Sequence, residues 1–472
     1  MEAIPIGSPG GLQDNGSWMG PSQTLHYTDD SSKDGILNSD WETIGGSDGF
    51  SVAFDPTDPN IVYTTGQGGE LVRRHLDTNV IRLIRPSPRE GQERLRFNWN
   101  SPYFVSPHDP TVLYMGGNKV FKLTEKGDKW FAISGDLSRR DVDKIQTVGS
   151  EAETYGTVVS LTESPIRKGL LWAGTDDGLV HVTSDEGKSW ANVTPKEVGG
   201  LYISRIAASW KEERTAYVSV DGHRSDVLKP LVLMTTDLGR SWTNITSNLP
   251  AAGPVRVVLE DSSNPQVLYA GTEFGLFVTL DRGRQWIRLN GKSLPPAPVD
   301  DLLIHPREKD LVIGTHGRSI YVLDDASFFA QLTPEIRRKQ AVLLDVRPAR
   351  PRLLFGRDYG SGQALFRAKN PALGAVLNYW LREVPDEPVS ISISDPSGFK
   401  IRSLDGTSRA GLNRVVWDLQ ADPKHRFSDV DEAYGQTPFV PPGDYKVTLT
   451  VGDEKSEKTV KVLPLAGTPK EK

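Results

Sequence analysis

The sequence predicts an all-β protein, a seven-bladed β-propeller followed by a small β-sandwich. A short turn that ends in tryptophan recurs through the first two thirds of the chain, and strands precede it at intervals of about 40–50 residues. Beyond Asp325 the turn no longer occurs, and a different alternation of apolar and polar residues begins. A chain of 472 residues exceeds what one hydrophobic core normally organises, so the two patterns indicate two domains.

The recurring turn is most regular at residues 184–190 and 236–242, and residues 280–286 and 124–130 are weaker copies. Its hydroxyl and carboxylate side chains can hydrogen-bond the backbone of their own turn, and its glycine permits a positive φ angle. Its closing tryptophan offers a large apolar surface for burial between neighbouring sheets. The turn resembles the Asp box, or bacterial neuraminidase repeat, and this resemblance implies a β-propeller.

The repeated strands divide the first domain into blades near residues 47–90, 97–135, 155–193, 202–247, 252–290 and 298–325. A hairpin from Gln13 to Gly16, placed before Trp18, implies a seventh blade. That blade lacks room for its innermost strand, and the last blade lacks its outermost one. Either the chain ends share one blade, or the chain is the C-terminal part of a longer protein. We favour the second alternative because Met1 enters the repeat without any lead-in.

The propeller is therefore predicted at residues 1–325, a linker with a short helix at 326–362 and the β-sandwich at 363–466. Strands are expected at 376–381, 389–393, 411–419 and 443–449, with a loop at 356–362. The last two strands resemble the immunoglobulin-like domain of flagellar hook-capping proteins and of many bacterial secreted enzymes. That resemblance implies a domain without chemistry of its own, which packs on a neighbour or spaces it.

Composition and charge exclude several classes of function. The formal charge of −6 disfavours nucleic acid as a partner. No apolar run approaches the roughly 20 residues of a membrane helix, so no membrane insertion is expected. The absence of cysteine removes thiolate ligands and a cysteine nucleophile, and no paired-histidine spacing indicates a metal. We predict neither a metal nor a cofactor, although calcium at acidic hairpins stays open.

Four segments, 11–16, 96–102, 314–318 and 411–419, together resemble a family of large bacterial exported proteins. Their Asp-box propellers are described as sortilin-like or glycosyl-hydrolase-like, and the resemblance covers essentially the whole chain. It implies an extracytoplasmic location, periplasmic or secreted, although the N-terminus carries no signal segment. It also implies an upstream propeller or a partner chain beside this one.

A ligand site is expected at one end of the blades. If the strands of a blade are labelled A to D outward from the axis, the Asp boxes lie between C and D. The B–C hairpins and D–A connections then emerge at the opposite end, where convergent polar groups suit a glycan or a peptide. The residues predicted to contact the ligand are Asn98, Trp99, Asn100, Asp176, His223, Arg224, His316 and Arg318. Two of these residues have a structural alternative to ligand binding. Asp176 could be a solvated hairpin residue, and Arg318 could brace the last blade.

Three classes of function fit these residues unequally. The favoured one is a non-catalytic propeller that binds glycan or peptide, or scaffolds an assembly. The second is a glycoside hydrolase, which needs two carboxyl groups, here sought among Asp14, Asp177 and Glu273. Xyloglucanases of the Asp-box type place their acids in the cleft between two propellers, so one propeller does not suffice. A sialidase is disfavoured because an N-terminal Arg-Ile-Pro motif is absent.

Overall fold

The computed structural model describes residues 7–24, 26–27, 35–88, 90–91, 93–145, 154–289, 294–352, 355–356, 367–422 and 439–465. The chain divides into two compact units. The propeller unit contains Ile6–Gly20 and Ser39–Ala326, and the sandwich unit contains Pro21–Asn38 and Ser327–Lys472. The chain therefore leaves the first unit after Gly20 and returns at Ser39, an excursion that no pattern in the sequence marks.

Short antiparallel strands fill the propeller unit in chain order. Including two strands of the excursion, β3 and β4, they are β1 (Gly7–Leu12), β2 (Gly16–Pro21), β3 (His26–Tyr27), β4 (Ile36–Leu37), β5 (Glu42–Gly45), β6 (Val52–Phe54), β7 (Ile61–Gly66), β8 (Glu70–His75), β9 (Ile81–Leu83), β10 (Tyr103–Val105), β11 (Leu113–Gly116), β12 (Val120–Thr124), β13 (Lys129–Ala132), β14 (Val158–Glu163), β15 (Leu171–Thr175), β16 (Val180–Thr183), β17 (Ala191–Asn192), β18 (Tyr202–Ala208), β19 (Ala216–Asp221), β20 (Leu231–Thr235), β21 (Thr243–Asn244), β22 (Val255–Glu260), β23 (Leu268–Thr272), β24 (Gly275–Thr279), β25 (Ile287–Arg288), β26 (Val299–Ile304), β27 (Leu311–Thr315) and β28 (Ile320–Leu323).

Apart from β3 and β4, these strands form seven sheets, which we number as blades 1 to 7 in chain order. Blades 2 to 6 are four-stranded and sequential, namely β6 to β9, β10 to β13, β14 to β17, β18 to β21 and β22 to β25. Within the described residues, blade 1 (β1-β2-β5) and blade 7 (β26 to β28) have three strands each. The first and last described strands of the propeller unit therefore belong to two separate sheets rather than to one shared blade.

The first and last sheets are neighbours, and the innermost strands converge. A Cβ atom added at Gly10 in β1 would lie 3.3 Å from Ile320 Cδ1 in β28. Arg205 in β18 pairs with Asp301 in β26, with 2.5 Å between Nη2 and Oδ1, although blade 6 separates their blades along the chain. The first contact joins the first and last sheets, and the second joins the innermost strands of two blades that are not consecutive. Both are expected when the blades are arranged around a common axis. The predicted fold class, an all-β chain with a seven-bladed propeller, is confirmed by these sheets.

The four tryptophan-ended turns, which we call the repeat turns, connect strands C and D of blades 3 to 6. In three of them the indole Nε1 donates to a backbone carbonyl of the preceding blade: Trp190 to Ile133 at 2.9 Å, Trp242 to Val193 at 2.8 Å and Trp286 to Ile245 at 2.9 Å. Each acceptor is the first residue after the outermost strand of its blade. The repeat turns therefore fasten each blade to its predecessor.

A β-bulge interrupts strand A at the same place in blades 4 to 7. The register with strand B shifts around Val159, Ser204, Arg256 and Asp300. A bulge bends a strand locally and redirects a side chain. Two charged groups, Arg256 and Asp300, are thus presented near the B–C hairpins.

The sandwich unit contains two short helices and the remaining strands. They are α1 (Phe328–Gln331), α2 (Pro334–Arg338), β29 (Ala341–Leu343), β30 (Phe355–Gly356), β31 (Arg367–Ala368), β32 (Ala375–Leu381), β33 (Val389–Ser394), β34 (Lys400–Asp405), β35 (Gly411–Trp417), β36 (Gly443–Val451) and β37 (Glu454–Val462). The sheets β29-β32-β35 and β34-β33-β36-β37 enclose a core around Tyr379, Trp417 and Tyr445. The excursion adds β3 to β30 and β4 to β31. Beyond Gly356, the loop predicted at 356–362 lies outside the described residues.

Candidate functional site

Two grooves lie on what we call the hairpin face, the end of the propeller unit where the B–C hairpins and D–A connections emerge. The Asp14 groove has a volume of about 480 Å³ and is lined by Asp14, Asn15, Gly16, Thr43, Gly45, Gly46, Ser47, Asp48 and Gln67. The Arg139 groove has a volume of about 570 Å³ and is lined by Arg139, Asp141, Lys144, Tyr155, Asp177, Thr194, Pro195, Lys196, Gly199 and Gly200. Both volumes fall in the range of small-ligand sites.

The Asp48 carboxylate organises the Asp14 groove. Its Oδ1 accepts a hydrogen bond from the Asp14 backbone N–H at 2.7 Å, and its Oδ2 accepts one from Trp99 Nε1 at 3.2 Å. Trp99 in turn packs edge-on against Phe50, with 5.4 Å between ring centroids. One half-buried carboxylate therefore ties the hairpin of blade 1 to the connection between blades 2 and 3. The Asp14 side chain is exposed at the groove.

Asn98, Asn100 and Asp176, three of the residues predicted to contact a ligand, are linked by hydrogen bonds. Asp176 is 9% exposed and accepts hydrogen bonds from the Gly156 and Thr157 backbone N–H groups at 3.0 and 2.9 Å. Asn98 Nδ2 donates to Asp176 Oδ2 at 3.4 Å, and Asn98 Oδ1 accepts from the Asn100 N–H at 3.2 Å. Burial raises the pKa of Asp176 to about 6, although the hydrogen bonds from Thr157 and Gly156 oppose the shift.

Asp177 is completely buried and bonded on both carboxylate oxygens. Oδ1 accepts from Thr175 Oγ1 at 2.5 Å, and Oδ2 accepts from the Arg139 backbone N–H at 2.6 Å. Its backbone carbonyl also accepts from Arg139 Nε at 2.8 Å. Asp177 thus fastens the long connection after blade 3 to the hairpin of blade 4. Because the Asp177 side chain is completely buried, it exposes no carboxylate oxygen to a substrate.

A charged network joins blades 6 and 7 through the two bulge residues. Arg256 donates to Glu273 Oε2 from Nε at 3.0 Å and from Nη2 at 2.5 Å. Arg256 Nη1 also lies 3.1 Å from Asp300 Oδ1, and Asp300 Oδ2 lies 3.0 Å from His316 Nδ1. Glu273 is therefore ion-paired, whereas the His316 side chain is 65% exposed.

The remaining predicted ligand residues lie on the hairpins of blades 5 and 7. His223 Nδ1 pairs with Asp221 Oδ1 at 2.7 Å, and the Arg224 guanidinium stacks over the Tyr202 ring at 4.6 Å from its centroid. Arg318 is exposed on the hairpin of blade 7. None of the eight residues predicted to contact the ligand is among the lining residues of the Asp14 groove or the Arg139 groove. Their roles as ligand contacts stay predictions.

Sequence reasoning missed several residues that shape the hairpin face. Asp48 follows Gly46 and Ser47, a composition typical of any turn. The bulge residues Arg256 and Asp300 interrupt strand patterns without a visible insertion. Arg139 belongs to a long connection in which no repeat supplies a reference position. An alignment of strand A between successive blades could have identified Arg256 and Asp300, but not Asp48 or Arg139.

In the part of the chain that the structure describes, no group of three or more His, Cys, Asp or Glu side chains is arranged to hold a metal ion. No helix within the same ranges has the length and the apolar content to cross a bilayer. The expected lack of a metal and of a cofactor stays a prediction.

Comparison with known proteins gives limited similarity. No family model matches the chain. Over 219 residues the chain is 24% identical to a Neosartorya fischeri protein named "Probable oligoxyloglucan-reducing end-specific xyloglucanase", covering 46% of this chain and 20% of that protein. The chain therefore spans about a fifth of the length of this curated relative.

Solved structures with a similar arrangement of strands are distant in sequence. The GH74 xyloglucanase from Xanthomonas campestris aligns with 97% of this chain and 78% of its own, at 15% identity and a TM-score of 0.47. YCF48 from Cyanidioschyzon merolae aligns with 69% of this chain and 98% of its own, at 13% identity and a TM-score of 0.45. The seven blades are therefore defined by the sheets of this chain and not by these similarities.

Proposed function

We propose that this chain is an extracytoplasmic, non-catalytic propeller whose Asp14 groove binds a glycan. The observation that carries the proposal is the lining of that groove. Carboxylate, amide and hydroxyl groups from Asp14, Asn15, Ser47, Asp48 and Gln67 meet in about 480 Å³. Such groups both donate to and accept from sugar hydroxyls. A peptide ligand and a scaffolding role are the other forms of the same non-catalytic proposal.

The polar groups of the Asp14 groove are held in place before a ligand binds, and this favours binding. Asp48 is held by the Asp14 N–H and by Trp99, so its oxygens are fixed before a ligand arrives. Prior fixation of polar groups lowers the entropy that binding must otherwise overcome. The repeat turns lie at the other end of the blades, where the Asp-box reading assigns them a structural role.

A glycoside hydrolase is the second candidate, and the partial similarity to a protein named as a xyloglucanase favours it. The three candidate acids are not equivalent in the structure. Asp177 is buried and bonded on both oxygens, and Glu273 is paired with Arg256. Asp14 alone of the three is exposed in a groove, with Asp48 as a second carboxyl group beside it. Catalysis by this chain would therefore depend on Asp14 and Asp48.

The test measures binding of neutral oligosaccharides, including xyloglucan fragments, by titration calorimetry. Asp48→Asn should weaken binding at least about tenfold, because an amide nitrogen replaces one of two accepting oxygens. Gln67→Ala should weaken it less. The matched control is Lys188→Ala, an exposed residue of a repeat turn, which should leave affinity unchanged. Equal effects of Lys188→Ala and Asp48→Asn would refute the proposed site.

The same preparations distinguish the enzymatic alternative. Release of reducing ends from xyloglucan, abolished by Asp14→Asn with unchanged thermal unfolding, would replace binding by hydrolysis as the function. Absence of turnover together with measurable binding supports the non-catalytic proposal. Binding of neither glycans nor peptides at millimolar concentration would contradict it.

A further inference from the structure

The Arg139 groove differs in charge from the rest of this acidic chain. Arg139, Lys144 and Lys196 bring three cationic side chains to its lining, and the chain as a whole carries a formal charge of −6. Two carboxyl groups accompany them, Asp141 and Asp177. Asp177 is completely buried and Asp141 lies 3.5 Å from Lys144 Nζ, so Arg139 and Lys196 are the cations that give the described lining its net positive charge.

Arg139 is fixed in place before any ligand binds. Its backbone N–H and its Nε both donate to Asp177, at 2.6 and 2.8 Å. Within the described residues, its two terminal amino groups make no hydrogen bond. A guanidinium with a fixed stem, whose two terminal donors have no partner among the described residues, matches a carboxylate in bidentate geometry.

Glycines open the opposite wall of the groove. Gly199 and Gly200 have φ angles of 60° and 84°, and a Cβ atom added at either would meet nothing within 4 Å. Their backbone is therefore accessible to a flat group. Lys196 stands in the same wall, immediately before this turn, and its side chain is exposed.

Tyr155 supplies an aromatic surface on the same groove. It is half-buried, and Lys144 Nζ lies 5.7 Å from its ring centroid. Burial, followed by the charges of Asp177 and Asp176, raises the pKa of Tyr155, so its hydroxyl remains neutral. Aromatic rings combine an apolar face with a polar edge and thus suit a sugar ring that carries hydroxyl groups.

We propose that the Arg139 groove binds a carboxylated sugar, a uronate residue within an oligosaccharide. Arg139 pairs with the carboxylate, Lys196 and Lys144 add charge, and Tyr155 supports the ring. A glycine wall and an aromatic ring in about 570 Å³ fit a pyranose better than an extended acidic peptide. This site goes beyond the proposed function, because it shares no lining residue with the Asp14 groove.

The test uses the full chain and a galacturonate trisaccharide as the probe, at about 20 mM and 200 mM salt. Arg139→Gln and, separately, Lys196→Gln should each weaken binding at least about fivefold, and higher salt should weaken it further. The matched control is Arg140→Gln, a neighbouring exposed arginine outside the groove with the same loss of charge. It should change affinity less than twofold. Lys196→Gln keeps the test valid if Arg139→Gln loosens the connection anchored at Asp177.

Four further results decide the proposal. The methyl ester of the trisaccharide should bind at least about tenfold more weakly, and equal affinity would overturn the carboxylate pairing. Tighter binding of a glutamate-rich peptide would overturn the sugar in favour of an acidic peptide. Asp48→Asn should leave uronate binding intact, so a failure at the Asp14 groove remains distinguishable from a failure here. Absence of uronate binding at low salt would refute the site.

Discussion

Asp185 and Asp237 occupy one position in two repeat turns and show what that position does. Asp185 accepts hydrogen bonds from the Ser189 N–H at 2.9 Å and from Ser189 Oγ at 2.6 Å, and Asp237 repeats both contacts with Ser241. The Ser189 hydroxyl, followed by the Ser189 N–H, lowers the pKa of Asp185 to about 2. The charged form is therefore the one that closes the turn.

This shift predicts a dependence of stability on pH. The pKa of Asp185 in the folded state lies below its ordinary value of 3.8, so its charge stabilises the fold above about pH 4. That contribution is lost as the pH falls through about 2. Thermal unfolding from about pH 5 to pH 2 should show a shallower loss of Tm in the double variant Asp185→Asn, Asp237→Asn than in the unmodified chain.

The control for this prediction removes the same charge elsewhere. Asp386→Asn with Asp453→Asn alters two exposed carboxylates of the sandwich unit. Its pH profile should follow that of the unmodified chain. Identical profiles for both double variants would contradict the role assigned to the turns.

At the scale of the element, the three indole hydrogen bonds predict unequal costs of truncation. Trp286 is 4% exposed, whereas Trp190 and Trp242 are only half-buried. Trp286→Ala should lower the free energy of unfolding by about 3–5 kcal/mol, and Trp190→Ala by less. Trp286→Phe keeps most of the buried area and loses the bond to the Ile245 carbonyl, so it should cost about 1 kcal/mol. Chemical denaturation measures all three, and an unchanged midpoint for Trp286→Ala would be incompatible with the fastening role.

The elements also show where the sequence is informative. The repeat turns indicate blades 3 to 6 because all four place a carboxylate, a glycine and an indole at fixed spacing. At Glu186, by contrast, φ is 62°, a left-handed conformation that no residue preference at this position reveals. The bulges at Arg256 and Asp300 are invisible for a related reason. One inserted residue shifts the alternation of side chains by one position, and a strand of six residues is too short for the shift to be recognised in the sequence.

At the scale of the whole molecule, the number of blades was predictable and the partition of the chain was not. Seven sheets follow from a repeat that recurs at nearly constant spacing. The excursion of Pro21–Asn38 into the sandwich unit depends on long-range pairing, such as Ile36–Leu37 with Arg367–Ala368, which local patterns do not encode. The site was predictable to the same extent. The hairpin pattern suggested Asn98, Trp99 and Asp176, none of which lines either groove, whereas Arg139 and Asp48 required the geometry of the connections.

We propose that ligands bind at the hairpin face and not at the repeat turns. Hydrogen–deuterium exchange of the intact chain, with and without a saturating neutral oligosaccharide, tests this proposal. Exchange should become slower at residues 13–16 and 45–48, which line the Asp14 groove, and stay unchanged at residues 184–190 and 236–242. Protection confined to the repeat turns, with the groove segments unaffected, would contradict it.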